Sequence, residues 1–205
     1  MTADYLWANS QRSGARARSG RILAGLVGVA LAAIVAISAP QSSAQTAPPI
    51  SGTVAGFKPA APPREAPPAR FVDPQGQALD LGRYRGKVVL VNFWATWCAP
   101  CVREMPSLDR LQAALGGEGL VVLPLSLDGP TRPRVEPFYK DRNLAHLPIL
   151  FDEKNATFGR FAVAVLPTTI LIDRDGREVG RLEGPAEWDA PEAVALIRHY
   201  LKAGS

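Results

Sequence analysis

The stretch Val88–Pro106, VVLVNFWATWCAPCVREMP, changes its hydrophobic pattern halfway. Val88 to Ala95 is almost unbroken in apolar residues, the pattern of a central strand covered on both faces. Thr96 to Cys101 then opens a helix predicted to run to about Leu115, where Gly116-Gly117 stops it. The two cysteines therefore fall where a buried strand gives way to a helix. Free backbone N–H groups and the helix dipole favour an anion there, so the Cys98 thiol is expected to ionise below the ~8.5 of a free cysteine. Pro100 is tolerated because the first helical turn has no intrahelical N–H bond to lose. Cys101 lies about one turn in and deeper, which separates an attacking thiol from a resolving one. An exposed two-residue loop makes a poor structural staple and a good exchange site. The chain has no other cysteine, so a four-thiolate zinc site lacks its second pair. A two-thiolate Cu(I) module is the alternative of a different class, and His146 is the candidate third ligand before the final helix.

Outward from this stretch, Leu120 to Leu127 reads as a second buried strand and Arg134 to Arg142 as a helix. Ile149-Leu150-Phe151 reads as a short strand and Ala156 to Phe161 as a short helix. Thr168 to Asp173, a turn at Arg174-Asp175-Gly176, and Arg177 to Glu183 form a hairpin. Asp189 with Glu192 predicts a capping box for a last helix carrying Val194, Ile197 and Leu201 at helical spacing. Upstream, Ala69 to Leu81 predicts a small hairpin turning at Asp73-Pro74-Gln75-Gly76. The expected architecture is α/β, a central mixed sheet with helices on both faces and an N-terminal β-hairpin extension. His146 and His199 read as structural, Trp94 as core, and Trp97 as a side chain beside the cysteine pair that shapes a docking surface.

The N-terminal third is of another character. Residues 1–21 form a basic tail, and Ile22 to Ala39 is an uncharged run of Ile, Leu, Val, Ala, Gly and Ser. As a helix the run rises roughly 27 Å, close to the ~30 Å of a bilayer core. It is expected to anchor the chain in the inner membrane with the C-terminal part across it, since the arginines before it stay cytoplasmic. A cleaved signal segment ending near Ser42-Ser43-Ala44 is the rival reading. Residues 40–68, with eight prolines, read as an extended spacer. The folded domain is then expected over 69–205. The net charge of +4 belongs to the N-terminal segments, because residues 70–205 hold 17 basic and 17 acidic side chains. Nucleic-acid binding by the folded part is excluded on that ground.

Val88–Pro106 resembles the active-site strand and helix of the thioredoxin superfamily, in its membrane-anchored TlpA-like branch. ResA-like proteins and the reductants of cytochrome c maturation share this architecture. Val165-Leu166-Pro167-Thr168-Thr169 resembles the cis-proline segment that faces the cysteines in that fold, and Gly184–Asp189 resembles the segment before its last helix. The resemblance implies a thiol-disulfide oxidoreductase without cofactor or metal, in which Cys98 and Cys101 form the redox disulfide and Trp97, Pro100, Leu166 and Pro167 meet the client. The implied partners are periplasmic clients with oxidised cysteine pairs and a membrane thiol-electron transporter as reductant. The TlpA-like match implies copper-site assembly for cytochrome oxidase; apocytochrome c is the alternative client. One departure stands out. Cytoplasmic thioredoxin has a buried aspartate where this chain has Asn92, and Asn cannot carry a proton. Glu104, one turn after Cys101 on the same helical face, is the substitute candidate; a solvated surface residue is its other reading.

Overall fold

A computed structural model describes residues 47–129 and 132–203. The basic tail, the 22–39 segment and residues 40–46 of the spacer lie outside the described residues, so the anchor reading is not addressed by them. Among the described residues no helix is long and apolar enough to cross a membrane.

Strand β4, Val88–Trp94, is buried along its whole length. It pairs in parallel with β5, Leu120–Ser126, and antiparallel with β7, Thr168–Ile172. Because strand side chains alternate between faces, the unbroken apolar run feeds two separate cores. Leu90 and Trp94 join Leu108 and Leu111 of helix α1, Ala99–Leu115, and Leu196 and Ile197 of helix α4, Pro191–Lys202. Val89, Val91 and Phe93 face the other way, with Phe71, Phe161 and Ile170. The described residues form one eight-stranded mixed sheet in the order β1 (Lys58–Glu65), β8 (Arg177–Glu183), β7, β4, β5, β6 (Leu150–Phe151), β2 (Arg70–Val72), β3 (Ala78–Asp80).

The hairpin of β7 and β8, Arg177–Glu183, closes as its turn chemistry dictates. The Asp173 carboxylate accepts from the N–H groups of Asp175 and Arg177 at 3.0 and 2.8 Å, and Gly176 takes a positive φ of 75°. The small hairpin is also present, as β2, Arg70–Val72, and β3, Ala78–Asp80, at one sheet edge beside β6, Leu150–Phe151. Two short helices complete the connections, α2, Val135–Asp141, and α3, Ala156–Arg160.

Two expectations are corrected. The folded part does not start at Ala69, because Lys58–Glu65 forms strand β1 and pairs antiparallel with β8 across the opposite sheet edge. Proline is tolerated there, since an edge strand needs only half of its backbone groups for pairing. Arg64 and Arg181 both bond the buried Glu178 carboxylate, at 3.0 and 2.7 Å. Gly180 lies under this arm, and a Cβ there would come within 2.4 Å of the Phe57 ring. Val54 and Phe57, just before β1, are core residues. The capping box at Asp189 and Glu192 is likewise absent. Helix α4 starts from Ala190 with no side-chain cap, because Asp189 is held by Arg110 and Glu192 accepts from Thr53 N at 3.0 Å.

Candidate active site at the cysteine pair

At the end of β4 the chain turns through Ala95–Trp97, and Cys98 becomes the N-cap of α1. Its N–H donates to Ala95 O at 3.1 Å, and its sulfur accepts from Cys101 N at 3.4 Å. The sulfur thus occupies the position where a side-chain cap oxygen normally sits, facing free helix N–H groups. Cys98 and Cys101 are joined as a disulfide with their Cα atoms 5.3 Å apart. Cys98 is 7% exposed and Cys101 is fully buried, so of the two cysteines only Cys98 retains access to solvent. Pro100 falls in the first turn of α1, as the sequence predicts.

The turn is pinned from β5. The Asp128 carboxylate accepts from Thr96 N at 2.8 Å and Thr96 Oγ1 at 2.6 Å, and also from Ser126 Oγ at 2.8 Å. Sequence reasoning missed Asp128. An acid directly beyond the C-terminal end of a buried strand is the signal that could have found it.

Across from the disulfide, the Leu166–Pro167 peptide is cis. Val165 O accepts from Thr168 Oγ1 at 2.8 Å and Pro167 O from Gly184 N at 2.8 Å, which fixes the segment from both sides. A groove of about 590 Å³ runs between this segment and the cysteines, lined by Trp97, Cys98 and Pro100 on one side and Val165 and Leu166 on the other. Leu127, Asn155 and Phe158 also line it, and none of these was anticipated from sequence. Trp97 and Val165 are the exposed large hydrophobics of the described residues, at 63% and 49%. Trp97 is thus largely exposed and lines the groove together with Cys98, while Trp94 is core as expected.

Glu104 is not a surface residue. It is 1% exposed, and its carboxylate accepts from Asn92 Nδ2 at 2.8 Å, Ala186 N at 3.1 Å and Trp188 Nε1 at 3.3 Å. Asn92 also donates to Thr169 Oγ1 at 2.9 Å, and its Oδ1 has no hydrogen-bond partner among the described residues. Burial raises the Glu104 pKa from an ordinary 4.5 to about 7, against the opposing effect of these three donors. The raised value has a consequence for stability. Between those two values the folded protein holds a proton that the unfolded chain has released. This contribution is whole below about 4.5 and is lost as pH rises through about 7. The oxidised protein is therefore expected to lose on the order of 3 kcal/mol across that window through this group. Urea unfolding at several pH values should show the slope, and Glu104→Gln should flatten it.

Among the described residues His146 and the cysteines form no cluster that could hold a metal ion. The His146 Nδ1 lies 2.9 Å from Asp109 Oδ2, whose carboxylate also accepts from His146 N and Leu147 N. His199 is in the last turn of α4.

A disulfide at the N-terminus of the helix that follows a central strand, faced by a cis-proline segment, defines a thiol-disulfide oxidoreductase of the thioredoxin fold. Residues 60–177 match the model of the AhpC/TSA family, and the chain belongs to that family. It is 34% identical over 139 residues to the thiol-disulfide oxidoreductase ResA of Bacillus thuringiensis subsp. konkukian, covering 68% of this chain and 76% of the relative. It is 36% identical over 121 residues to a ResA of Bacillus cereus, covering 59% and 69%. Among solved structures it is similar to one described as a putative thiol:disulfide interchange protein DsbE of Chlorobium tepidum, at 27% identity and a TM-score of 0.60, covering 68% of this chain and 96% of that one.

Proposed function

We propose that this protein is a reductant that opens disulfides in client proteins on the periplasmic side of the inner membrane, held there by residues 22–39. The observation that carries the reading is the asymmetry of the pair: one sulfur at the helix cap beside an apolar groove, the other sealed beneath it. In the reduced protein the Cys98 thiolate attacks a client disulfide, forming the Cys98–client bond and releasing one client thiolate. Cys101 gives its proton to Glu104, and the Cys101 thiolate then attacks the Cys98 sulfur. The second client thiolate leaves and takes up a proton, so the client gains two electrons and the pair becomes the disulfide. Glu104 suits this task because its proton affinity lies near neutrality, where it can both accept and return a proton. The client strand lies in the groove against Trp97, Pro100 and Leu166, while Pro167, buried beside Leu166, does not line the groove and acts by holding Leu166 in place. Of these, Leu166 has no hydrogen bond of its own among the described residues and is free to pair with an extended chain. A membrane thiol-electron transporter reduces the pair again.

The client proposed is a copper-site assembly protein of a terminal oxidase, whose thiols must be reduced to bind metal. An apocytochrome c with a CxxCH segment is the second reading. The groove named above is lined without a charged side chain, so the two are expected to be told apart by flanking residues rather than by steering. Stopped-flow reduction of matched oxidised peptides from each class tests this. A rate advantage for the copper-site peptide supports the first client, and preference for the CxxCH peptide replaces it. The Cu(I)-module alternative is weakened by His146, its candidate third ligand, being held by Asp109.

A further inference from the structure

The segment between β8 and α4 belongs to no helix or strand, yet it is fastened at several points around Glu104. Trp188 is fully buried, and its indole N–H reaches the same carboxylate oxygen, Oε2, that Ala186 N bonds. Ser107, one helical turn beyond Glu104, accepts from Trp188 N at 3.0 Å and donates to Glu104 O at 2.7 Å. On the outer side Thr53 Oγ1 accepts from Glu187 N at 2.7 Å, which ties the segment to the turn before β1. The other carboxylate oxygen, Oε1, is taken by Asn92 from β4. The carboxylate is thus gripped from two sides by neutral donors. One grip comes from the strand that leads into the cysteines, the other from a chain segment some eighty residues later.

We propose that Trp188 is a positioning residue for proton transfer at Cys101: its indole N–H fixes the orientation of the Glu104 carboxylate and favours its ionised form. The inference rests on the reading of Glu104 as the proton acceptor for Cys101. Donors bonded to a carboxylate stabilise the anion, so removing one raises its affinity for a proton. The charged group that faces Glu104 is Glu187, whose negative charge works in the opposite sense; Asn92 from β4 is neutral, and Asp189 is held by Arg110. On the helix itself Cys101 stands three residues before Glu104 and carries a thiol once the pair is reduced, and Arg103 is the adjacent cation.

The test follows the resolving step, release of a client peptide from its Cys98 adduct, as a function of pH in the full chain, in the wild type and in Glu104→Gln and Trp188→Phe variants. The wild-type rate is expected to rise through an inflection near the Glu104 value of about 7. Glu104→Gln should lose that inflection. Trp188→Phe, which keeps the ring packing and deletes the donor, should keep the inflection, move it up by about one unit, and regain the wild-type rate at high pH. If Glu104→Gln loses the inflection while Trp188→Phe leaves it in place, Trp188 only packs and the inference is wrong. If Glu104→Gln retains it, the proton-acceptor reading falls and takes the inference with it. Should Trp188→Phe fail to fold, Ser107→Ala carries the test by releasing the Trp188 backbone: an upward shift supports the proposal, and an unmoved inflection overturns it.

Discussion

Replacing Cys98 by serine is expected to abolish disulfide reduction, with a loss on the order of a thousandfold or more, because no other thiol lines the groove. Cys101→Ser should be as inactive in turnover and yet behave differently in one respect. It should accumulate a covalent adduct with the client, since Cys98 still attacks and nothing displaces the product. The structural reason is that Cys101 is fully buried while Cys98 retains access at the helix cap. Non-reducing gels and mass spectrometry of the joined peptides check it. Adducts formed through Cys101 in the Cys98→Ser variant, with none in the converse, would reverse the assigned order of attack.

Trp94→Ala should produce the largest loss of stability among single changes near the site. Trp94 is fully buried at the end of β4, with ring centroids 5.2 Å from Phe138 and 6.0 Å from Tyr139. Truncating such a side chain costs about 3–5 kcal/mol through lost burial and the cavity left behind. Trp94 O also accepts from Leu127 N at 2.9 Å, which ties the end of β4 to a residue of the groove wall. Denaturant unfolding should therefore show an earlier midpoint, with Trp94→Phe intermediate. A stability within about 1 kcal/mol of wild type would mean that the neighbouring rings collapse into the space.

What sequence could supply depended on how local the cause was. The strand and helix around Cys98 were legible because alternation across a doubly covered strand leaves an unbroken apolar run, and because Gly116-Gly117 ends the helix nearby. The β7–β8 hairpin was legible for the same reason, its turn being set by Asp173 and Gly176 within a few residues. The β1 arm was not. Its prolines and small side chains carry the composition of a spacer, and its strand conformation depends on the partner edge of β8. The absent capping box shows the converse error: the local pattern was right, but Arg110 and Thr53 compete for the two carboxylates from far along the chain. Glu104 lies between these cases. Its spacing from Cys101 was visible, whereas its burial is created by Ala186 and Trp188, which no local pattern connects to it. The groove lining at Leu127, Asn155 and Phe158 was hidden for the same reason, since each arrives from a separate connection.

The most direct test of the central claim is equilibrium titration of the Cys98–Cys101 pair in thiol-disulfide buffers of graded potential, with the alkylated thiols counted by mass. A reductant predicts that both thiols appear together as one reversible two-electron couple, with a midpoint at about −200 mV or lower. A midpoint near about −120 mV, the range of strong thiol oxidants, would contradict the proposed direction of electron flow, and a pair that fails to titrate reversibly would contradict exchange chemistry at this site.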